Sequence, residues 1–315
     1  MTTRLTTTED WRARVCRAMD YLSGHLAEPL DIAGAAQAAR CSPYHFHRLF
    51  TALVGETVGA FVRRLRLERA MGLLVGSPRQ SVTDIAFACG FSSSQNFAKA
   101  FRAAYGLTPS QARRRKAGNN LRNGQDASAL RISYASPGNG RNGSARATQE
   151  EPQEKTDMPT PAPLVIRSEV QDLPVRHVAY IRKIGPYGTE TVEGALGELC
   201  AWATPRGFVG QGAILCRYWD DPSVTPPEKC RADACMEVPA GAQAVPPVTL
   251  ADIPGGRHWV CRCQVPVEAF AAVWSECYRR LADNGYECAD RPGYELYHSD
   301  GSDGTFVIDV CIPLA

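Results

Sequence analysis

The sequence of 315 residues lacks the features that mark several classes of protein. No apolar run approaches the ~18 residues of a membrane span. The polar N-terminus also lacks a signal-peptide pattern. We therefore expect a cytoplasmic protein with no membrane partner. Apolar residues make up 44% of the chain and charged residues 22%, the ordinary range for a globular protein. This composition excludes a wholly disordered, collagen-like or coiled-coil chain.

Paired Cys-x-x-Cys elements are also missing, although the chain has 12 cysteines. Without an export signal, scattered cysteines favour reduced, partly buried thiols over a disulfide framework. Cys261 and Cys263 would share one face of a strand, and Cys230 and Cys235 lie in a polar stretch. A zinc site or a redox switch is the weaker alternative at these positions. We expect no metal and no cofactor.

The net charge is only +2, but the charges are unevenly distributed along the chain. Residues 1–116 carry 17 Lys and Arg against 8 Asp and Glu, a net charge of +9. Residues 117–163 carry 5 of each, and residues 164–315 carry 13 against 20, a net charge of −7. A basic segment and an acidic segment are therefore joined by a neutral one, which suggests a nucleic-acid partner for the first.

The neutral segment predicts a flexible linker. Residues 117–163 are rich in Gly, Asn, Ser, Pro and charge, and they show no sustained apolar period. Only the short run from Leu130 to Tyr134 could pair transiently with another strand. A linker of this length argues against rigid coupling of its flanking domains. The opposite charges of those domains suggest instead that they pair weakly and that the acidic one screens the basic one.

The basic segment predicts helices and contains an internal repeat with an offset of 51 residues. The motif Phe46-x3-Phe50-x4-Gly55-x-Thr57 recurs as Phe97-x3-Phe101-x4-Gly106-x-Thr108. Each copy follows an Ala-rich helical stretch and a short break. Each also starts near a serine that can cap a helix. These capping residues are Ser42, with Pro43 after it, in the first copy and Ser92 or Ser93 in the second.

Two helices joined by a short turn, the second capped and anchored by a Phe pair, follow the helix-turn-helix plan. In that plan the second helix offers its polar N-terminal side chains to the major groove of DNA. Arg and Lys suit guanine, Asn and Gln suit adenine, and Tyr suits a thymine methyl group or a phosphate. An amphipathic helix with a polar outer face is the alternative. Two units in register, joined by an Arg-rich helix on a basic segment, make it the weaker one.

Residues 12–115 resemble the DNA-binding domain of the AraC/XylS family of bacterial transcription regulators. The matching segments run from Ser42 to Phe50, from Gly55 to Ala70 and from Asp84 to Arg114. The resemblance implies that two helix-turn-helix units bridged by a long helix bind successive major-groove segments. One departure is Arg40, at a turn position where the family commonly has Gly. The DNA-binding residues implied by position are Tyr44, His47, Arg48, Ser94, Gln95, Asn96 and Lys99.

The acidic segment contains a second duplication, about 80 residues apart. Asp172-Leu173-Pro174 precedes a strand, a helix and a strand, and Asp252-Ile253-Pro254 does the same. The predicted helices are Thr189 to Ala203 and Val267 to Ala282. This pattern predicts an α+β domain with pseudo-twofold symmetry and a ligand cleft where the halves meet. We therefore expect a multidomain chain: an all-α double helix-turn-helix domain (8–116), a linker (117–163) and an α+β domain (164–315).

Glu295 is the candidate effector-binding residue in the acidic domain. A carboxylate against aromatic walls favours an organic cation, by charge and by cation–π attraction. Periodicity alone leaves open whether Glu295 or its neighbour Tyr294 faces the cleft. The domain resembles the GyrI-like effector-binding domain, through segments such as Gly185 to Gly188 and Gly293 to Asp300. That resemblance implies an amphipathic or aromatic ligand held by Glu295 and by the wall residues Tyr187, Tyr218, Trp219 and Tyr297.

The sequence thus predicts a DNA-binding transcriptional regulator that responds to a small molecule. The expected partners are double-stranded DNA and the effector, with RNA polymerase as a further candidate. We expect no catalytic residue. The alternative is a hydrolase that detoxifies a reactive compound, with Glu295 as general base or charge stabiliser and Tyr187 or Tyr297 assisting. A purely architectural DNA-binding protein would leave the sensor-like half unexplained.

Overall fold

A computed structural model of the chain describes residues 7–76, 79–119, 164–222, 224–266, 269–289 and 291–315. Most of the predicted linker, including the run from Leu130 to Tyr134, lies outside the described residues. In the part of the chain that is described, no helix is long and apolar enough to cross a membrane.

The N-terminal unit consists of helices among its described residues. Two short helix pairs, α2 with α3 and α5 with α6, are bridged by the long helix α4. The helices are α1 (Thr7–Gly24), α2 (Ile32–Ala38), α3 (Pro43–Val54), α4 (Val58–Gly76), α5 (Val82–Ala88), α6 (Ser94–Tyr105) and α7 (Pro109–Asn119).

The second helix of each pair begins and ends in the same way. The Ser42 hydroxyl accepts a hydrogen bond from the His45 amide at the start of α3. Ser93, one of the two predicted caps, accepts from the Asn96 amide at the start of α6. Both helices end in a left-handed glycine, Gly55 (φ 77°) and Gly106 (φ 71°). These caps satisfy backbone groups that the helix itself leaves unpaired.

The Phe pairs anchor these helices in the core. Phe46 and Phe50 are fully buried, with ring centroids 5.5 Å apart in an edge-on arrangement. Phe97 and Phe101 repeat this packing at 5.4 Å. The repeated motif therefore marks the inward face of each second helix, which turns its polar residues outward.

The turns within the two helix pairs differ in the residue type at their left-handed position. Arg40 adopts a left-handed conformation (φ 52°) where the second turn has Gly90 (φ 75°). The amide of each donates to the carbonyl three residues back, Gln37 or Phe87, at 2.9 Å. Arg40, which departs from the glycine common at this turn position in the AraC/XylS family, thus adopts the same conformation as Gly90 in the other unit. A left-handed non-glycine residue costs about 1–2 kcal/mol.

Among the residues that the structure describes, the C-terminal unit is one antiparallel sheet of eight strands with two α-helices. Its elements are β1 (Leu164–Leu173), β2 (Arg176–Ile184), α8 (Thr189–Ala203), β3 (Ile214–Tyr218), β4 (Arg231–Glu237), β5 (Thr249–Ile253), β6 (Gly256–Pro266), α9 (Phe270–Asp283), β7 (Tyr294–Tyr297) and β8 (Thr305–Pro313). Helix α8 has the predicted bounds, and α9 begins later than predicted.

The strand order confirms the predicted duplication. It runs β1-β6-β8-β7-β3-β4-β2-β5, and exchanging each strand of the first half with its counterpart in the second reverses the order. The pseudo-twofold axis therefore lies between β3 and β7. The first strand of each half pairs with the second strand of the other half, β1 with β6 and β5 with β2. This exchange joins the halves into one sheet.

Helices α8 and α9 cover one face of the sheet. Ala179 and Ile181 of β2 pack against Leu199 of α8 on that face, and Cys263 of β6 packs against Cys277 of α9. Because strand side chains alternate between faces, Tyr180 and Arg182 lie on the opposite face. Both contact Asp20 of α1 there. The two units are therefore in contact through these side chains, although the length of the linker argued against rigid coupling.

Candidate DNA-reading helices and effector site

The predicted DNA-binding residues lie on α3 and α6, which we call the reading helices. His47 and Arg48 of α3 are exposed, as are Gln95, Asn96 and Lys99 of α6. Ser94 is half-buried at the first position of α6. Tyr44 lies in the first turn of α3, and its side chain is outside the described part of the structure.

The repeat makes some of these positions equivalent. Arg48 and Lys99 are 51 residues apart and follow the inward Phe46 and Phe97 by two residues in each helix. Each reading helix thus presents one exposed cation at the same position of its outer face. Asn96 is oriented by its neighbours, since its side-chain amide donates to the Ser92 hydroxyl at 3.1 Å.

Two arginines of the bridging helix α4 are engaged within the protein. Arg64 donates to Glu56 at 2.7 Å and to Glu68 at 3.1 Å, and its side chain is 11% exposed. Arg66 donates to the carbonyls of Leu26 and Glu28. These two side chains hold the helical unit together, so they do not serve as phosphate contacts.

Glu295 is the centre of the candidate effector site. It lies on β7 and is 1% exposed. The hydroxyls of Tyr218 and Tyr297 donate to Oε2 at 2.9 and 2.7 Å, and the indole Nε1 of Trp274 donates to Oε1 at 2.6 Å. The carboxylate is therefore buried but held by three donors, two from the sheet and one from α9.

Burial dominates the electrostatics of this group of residues. It raises the pKa of the Glu295 carboxyl above its ordinary value, and the three hydrogen bonds oppose that shift. Burial, followed by the neighbouring Glu295 charge, also raises the pKa of the Tyr218 and Tyr297 hydroxyls. The tyrosines are therefore neutral donors at physiological pH, and each stabilises the ionised carboxylate.

Aromatic rings surround the carboxylate. The Tyr218 ring meets Tyr187 edge-on at 5.0 Å and Trp274 at 5.9 Å between centroids. Trp274 in turn lies 5.9 Å from Tyr278, one turn further along α9. A carboxylate among such rings offers an organic cation charge attraction and cation–π contact together.

Tyr294 lies on the other face of β7, which answers the question that periodicity left open. It is 1% exposed and packs in the core with Val178 and Val260. Glu295 therefore points toward the side of the sheet that carries α9.

Trp219 lies apart from the hydrogen bonds around Glu295. Its indole donates to Oδ2 of Asp233 at 2.7 Å, and the guanidinium carbons of Arg182 and Arg217 lie 4.5 and 4.6 Å from its ring centroid. Burial favours the neutral form of Asp233, but Arg182 and Arg217 outweigh it and hold its pKa well below the ordinary value. Through Arg182, which also pairs with Asp20 of α1, this cluster contacts the helical unit.

Trp274 and Asp233 were missed at the sequence level. Trp274 sits four residues after Phe270 and four before Tyr278, a spacing that equally predicts an apolar helix face. Only the packing of α9 over β7 brings its indole to Glu295. In the described residues, no group of three or more His, Cys, Asp or Glu side chains could hold a metal ion.

Comparison with known proteins identifies two domains. Residues 167–315 match the family model of the GyrI-like small molecule binding domain, and residues 35–115 match that of a helix-turn-helix domain. DNA gyrase inhibitors from Cronobacter turicensis and Cronobacter sakazakii are each 35% identical over 150 residues, 46% of this chain and 94% of each relative. The chain belongs to the GyrI-like family. Its GyrI-like domain follows an AraC-type helix-turn-helix domain, and the chain is therefore a DNA-binding transcriptional regulator.

Among solved structures, an AraC-type transcriptional regulator from Chromobacterium violaceum is similar to the helical unit. It is 30% identical, with a TM-score of 0.31, and the match covers 33% of this chain and 92% of that one.

Proposed function

We propose that this regulator reads DNA with α3 and α6 and senses an aromatic or amphipathic cation at Glu295. The observation that carries the effector half is the buried Glu295 carboxylate, held by three neutral donors among aromatic rings. An isolated buried charge is costly, and a site that keeps one is suited to a ligand of opposite charge. The proposed effector-binding residues are Tyr187, Tyr218, Trp274, Glu295 and Tyr297.

The proposal that α3 and α6 read DNA rests on the exposure of their polar side chains and on the matching geometry of the two helices. Two capped helices of matching geometry turn polar and cationic side chains outward, and each is fixed by a buried Phe pair. Two such helices suit successive major-groove segments on one side of the duplex. We propose direct readout by Tyr44, His47, Arg48, Ser94, Gln95, Asn96 and Lys99. RNA polymerase is the proposed protein partner.

The regulator architecture favours binding over turnover, and the site geometry supports the same choice. The tyrosine hydroxyls donate to Glu295, and their raised pKa values keep them protonated. Such tyrosines are poor general bases. Incubating the protein with a reactive electrophile should therefore give at most stoichiometric binding, and catalytic consumption of the electrophile would favour the hydrolase.

The effector proposal is tested by titrating tetraphenylphosphonium, an aromatic cation, into the full chain and into Glu295→Gln. A glutamine can accept the Trp274 indole hydrogen through its oxygen and donate its amide to the tyrosine oxygens, so the variant should fold. We expect saturable 1:1 binding that weakens at least about tenfold in the variant, since opposite unit charges about 5 Å apart attract each other by about 3 kcal/mol at an effective dielectric constant of about 20. Glu198→Gln on α8, an exposed carboxylate paired with Lys183, is the control. Equal affinity in wild type and Glu295→Gln would refute the assignment.

A further inference from the structure

The first contact between the two units is made by α1, on the face of the sheet opposite α8 and α9. The Asp20 carboxylate accepts from the Tyr180 hydroxyl at 2.8 Å and from Nη1 of Arg182 at 2.6 Å. One helical turn away, the Ser23 hydroxyl accepts from Nη1 of Arg231 at 3.0 Å. Arg182 and Arg231 are both buried, so α1 supplies partners to groups that have lost their water.

The second contact is made by α4 and by Glu56, which lies two residues before it. Arg64 lies 3.9 Å from the buried carboxylate of Asp220, and Lys229 pairs with Glu56 at 3.2 Å. Val224 is 7% exposed and packs among Leu67 and Met71, in the core of the second helix-turn-helix unit. Because α4 bridges the two reading units, a contact on α4 acts on their relative position.

The reading faces remain free in this arrangement. The exposed side chains of Arg48, Gln95 and Lys99 lie on helices other than those that make these contacts. The sensor therefore holds the DNA-binding unit from its back, through α1 and α4, without covering the residues proposed to read bases.

A short chain of contacts connects the Glu295 site to this interface. Tyr218 donates to Glu295, and its ring packs edge-on against Tyr187. The Tyr187 hydroxyl donates to the carbonyls of Asp220 and Arg231 and accepts from the Asp220 amide, each at 3.0 Å. Asp220 in turn holds the guanidinium of Arg231 through both oxygens, at 2.6 and 2.9 Å.

Asp220 and Arg231 are the residues that face Arg64 and Ser23 of the DNA-binding unit. The Tyr187 hydroxyl thus fixes, from the effector side, the backbone of two of the interface residues. An effector that pairs with Glu295 competes with the Tyr218 hydroxyl for the carboxylate, and Tyr218 cannot move without changing its packing on Tyr187. Packed groups of this kind switch between discrete arrangements rather than bending gradually.

We propose that Tyr187 couples the occupancy of the Glu295 site to the docking of the DNA-binding unit, and that a bound cation loosens the contacts at Asp220 and Arg231. The ligand-dependent part rests on the proposed effector function. Loosened contacts leave α4 and the two reading units free to adjust to DNA. The coupling is intramolecular and needs no change in the reading residues themselves.

The test is hydrogen–deuterium exchange on the full chain, measured for α1 and α4. Tyr187→Phe keeps the ring and removes the hydroxyl, and it should speed exchange in both helices about tenfold, the order expected for loss of one buried hydrogen bond. Asp20→Ala, which removes the interface carboxylate directly, is the positive control. Arg262→Gln is the matched negative control, because it lies at the position equivalent to Arg182 in the half of the sheet away from α1. Unchanged exchange in α9 shows that the variants are folded.

The cation arm uses tetraphenylphosphonium with the wild-type chain. We expect faster exchange in α1 and α4 on binding, and no further change in Tyr187→Phe. Unchanged exchange in α1 and α4 for Tyr187→Phe would overturn the coupling, as would binding of the cation without any change there. Absence of cation binding would instead contradict the proposed effector, and the comparison of Tyr187→Phe with wild type would still decide whether the Tyr187 hydroxyl supports the docking of the DNA-binding unit.

Discussion

Arg182 and Arg262 occupy equivalent places in the two halves of the sheet, yet the Arg182 side chain is fully buried and that of Arg262 is 28% exposed. Each forms a two-point pair with an aspartate on the neighbouring strand, Asp233 or Asp309. Asp20 of α1 and the rings of Trp219 and Tyr180 cover the first pair. The docked helical unit thus breaks the pseudo-twofold symmetry of the sensor.

This asymmetry predicts that replacing the aspartate by asparagine lowers the free energy of unfolding by different amounts in the two pairs. Asp233→Asn removes the carboxylate that the buried Arg182 and Arg217 share, leaves Arg182 only Asp20 as an acidic partner, and should cost about 3–5 kcal/mol of unfolding free energy. Asp309→Asn removes the equivalent carboxylate from a partly exposed pair and should cost about 1 kcal/mol or less. Urea unfolding of both variants measures the difference, and equal costs would contradict the burial argument.

The same pair predicts how stability depends on pH. The pKa of Asp233 is lower in the folded protein than its ordinary value of 3.8. Its contribution is therefore fully present above that value and is lost as the pH falls through the lower folded-state pKa. Unfolding free energies of wild type and Asp233→Asn should converge only in strong acid. Convergence near neutral pH would show that a group other than Asp233 dominates the pH dependence of the unfolding free energy.

Trp274→Phe should change the pH range of cation binding. The indole donates to Glu295 and favours its ionised form, so its removal raises the pKa of the carboxyl further. Cation binding needs the ionised form, and burial already places its loss above the ordinary pKa of 4.5. Titration of tetraphenylphosphonium across pH should show the loss at higher pH in Trp274→Phe than in wild type. A shift to lower pH would be inconsistent with this hydrogen bond.

Introducing glycine at the left-handed position of the first turn and removing it from the second should have opposite effects on stability. Arg40→Gly relieves a left-handed arginine and should stabilise the chain by up to about 1 kcal/mol. Gly90→Ala does the reverse, because a Cβ there would lie 2.3 Å from the Leu26 carbonyl oxygen. It should destabilise by more than about 1 kcal/mol. Thermal unfolding distinguishes the two, and a stabilised Gly90→Ala would refute the strain argument.

Gln95→Ala and Lys99→Ala should weaken discrimination between DNA sequences more than general DNA binding. A good base contact contributes about 1–3 kcal/mol of discrimination, roughly 5–150-fold. A phosphate contact instead weakens binding to all sequences alike. Binding sites selected from random DNA, followed by competition with nonspecific DNA, measure the ratio. Lys183→Ala on the sensor is the control, and uniform loss on all sequences would mean that the two side chains contact only phosphate.

The architecture was largely predictable because both domains are internally repeated. The Phe46/Phe50 and Phe97/Phe101 pairs fix the inward face of each reading helix, and the serines before them fix where each helix begins. Arg64 shows what a count of charges cannot predict. Its partners Glu56 and Glu68 lie eight residues before it and four residues after it, but only the structure shows that they pair with it.

The effector site was only half predictable for a similar reason. Glu295 and Tyr297 lie two residues apart on one strand, so alternation places them on one face. Trp274 and the contact of Asp20 with Arg182 depend on how separate elements pack. Pattern within one element carries no information about that packing, so the sequence does not predict which residues join the two units.

The most direct test of the account measures affinity for a DNA site selected from random sequences, with and without tetraphenylphosphonium. The account predicts that the cation changes the affinity of the wild-type chain and leaves that of Glu295→Gln unchanged. The free variant should bind the site as the free wild type does. An equal change in both proteins, or no change in a wild-type chain that binds the cation, would contradict it.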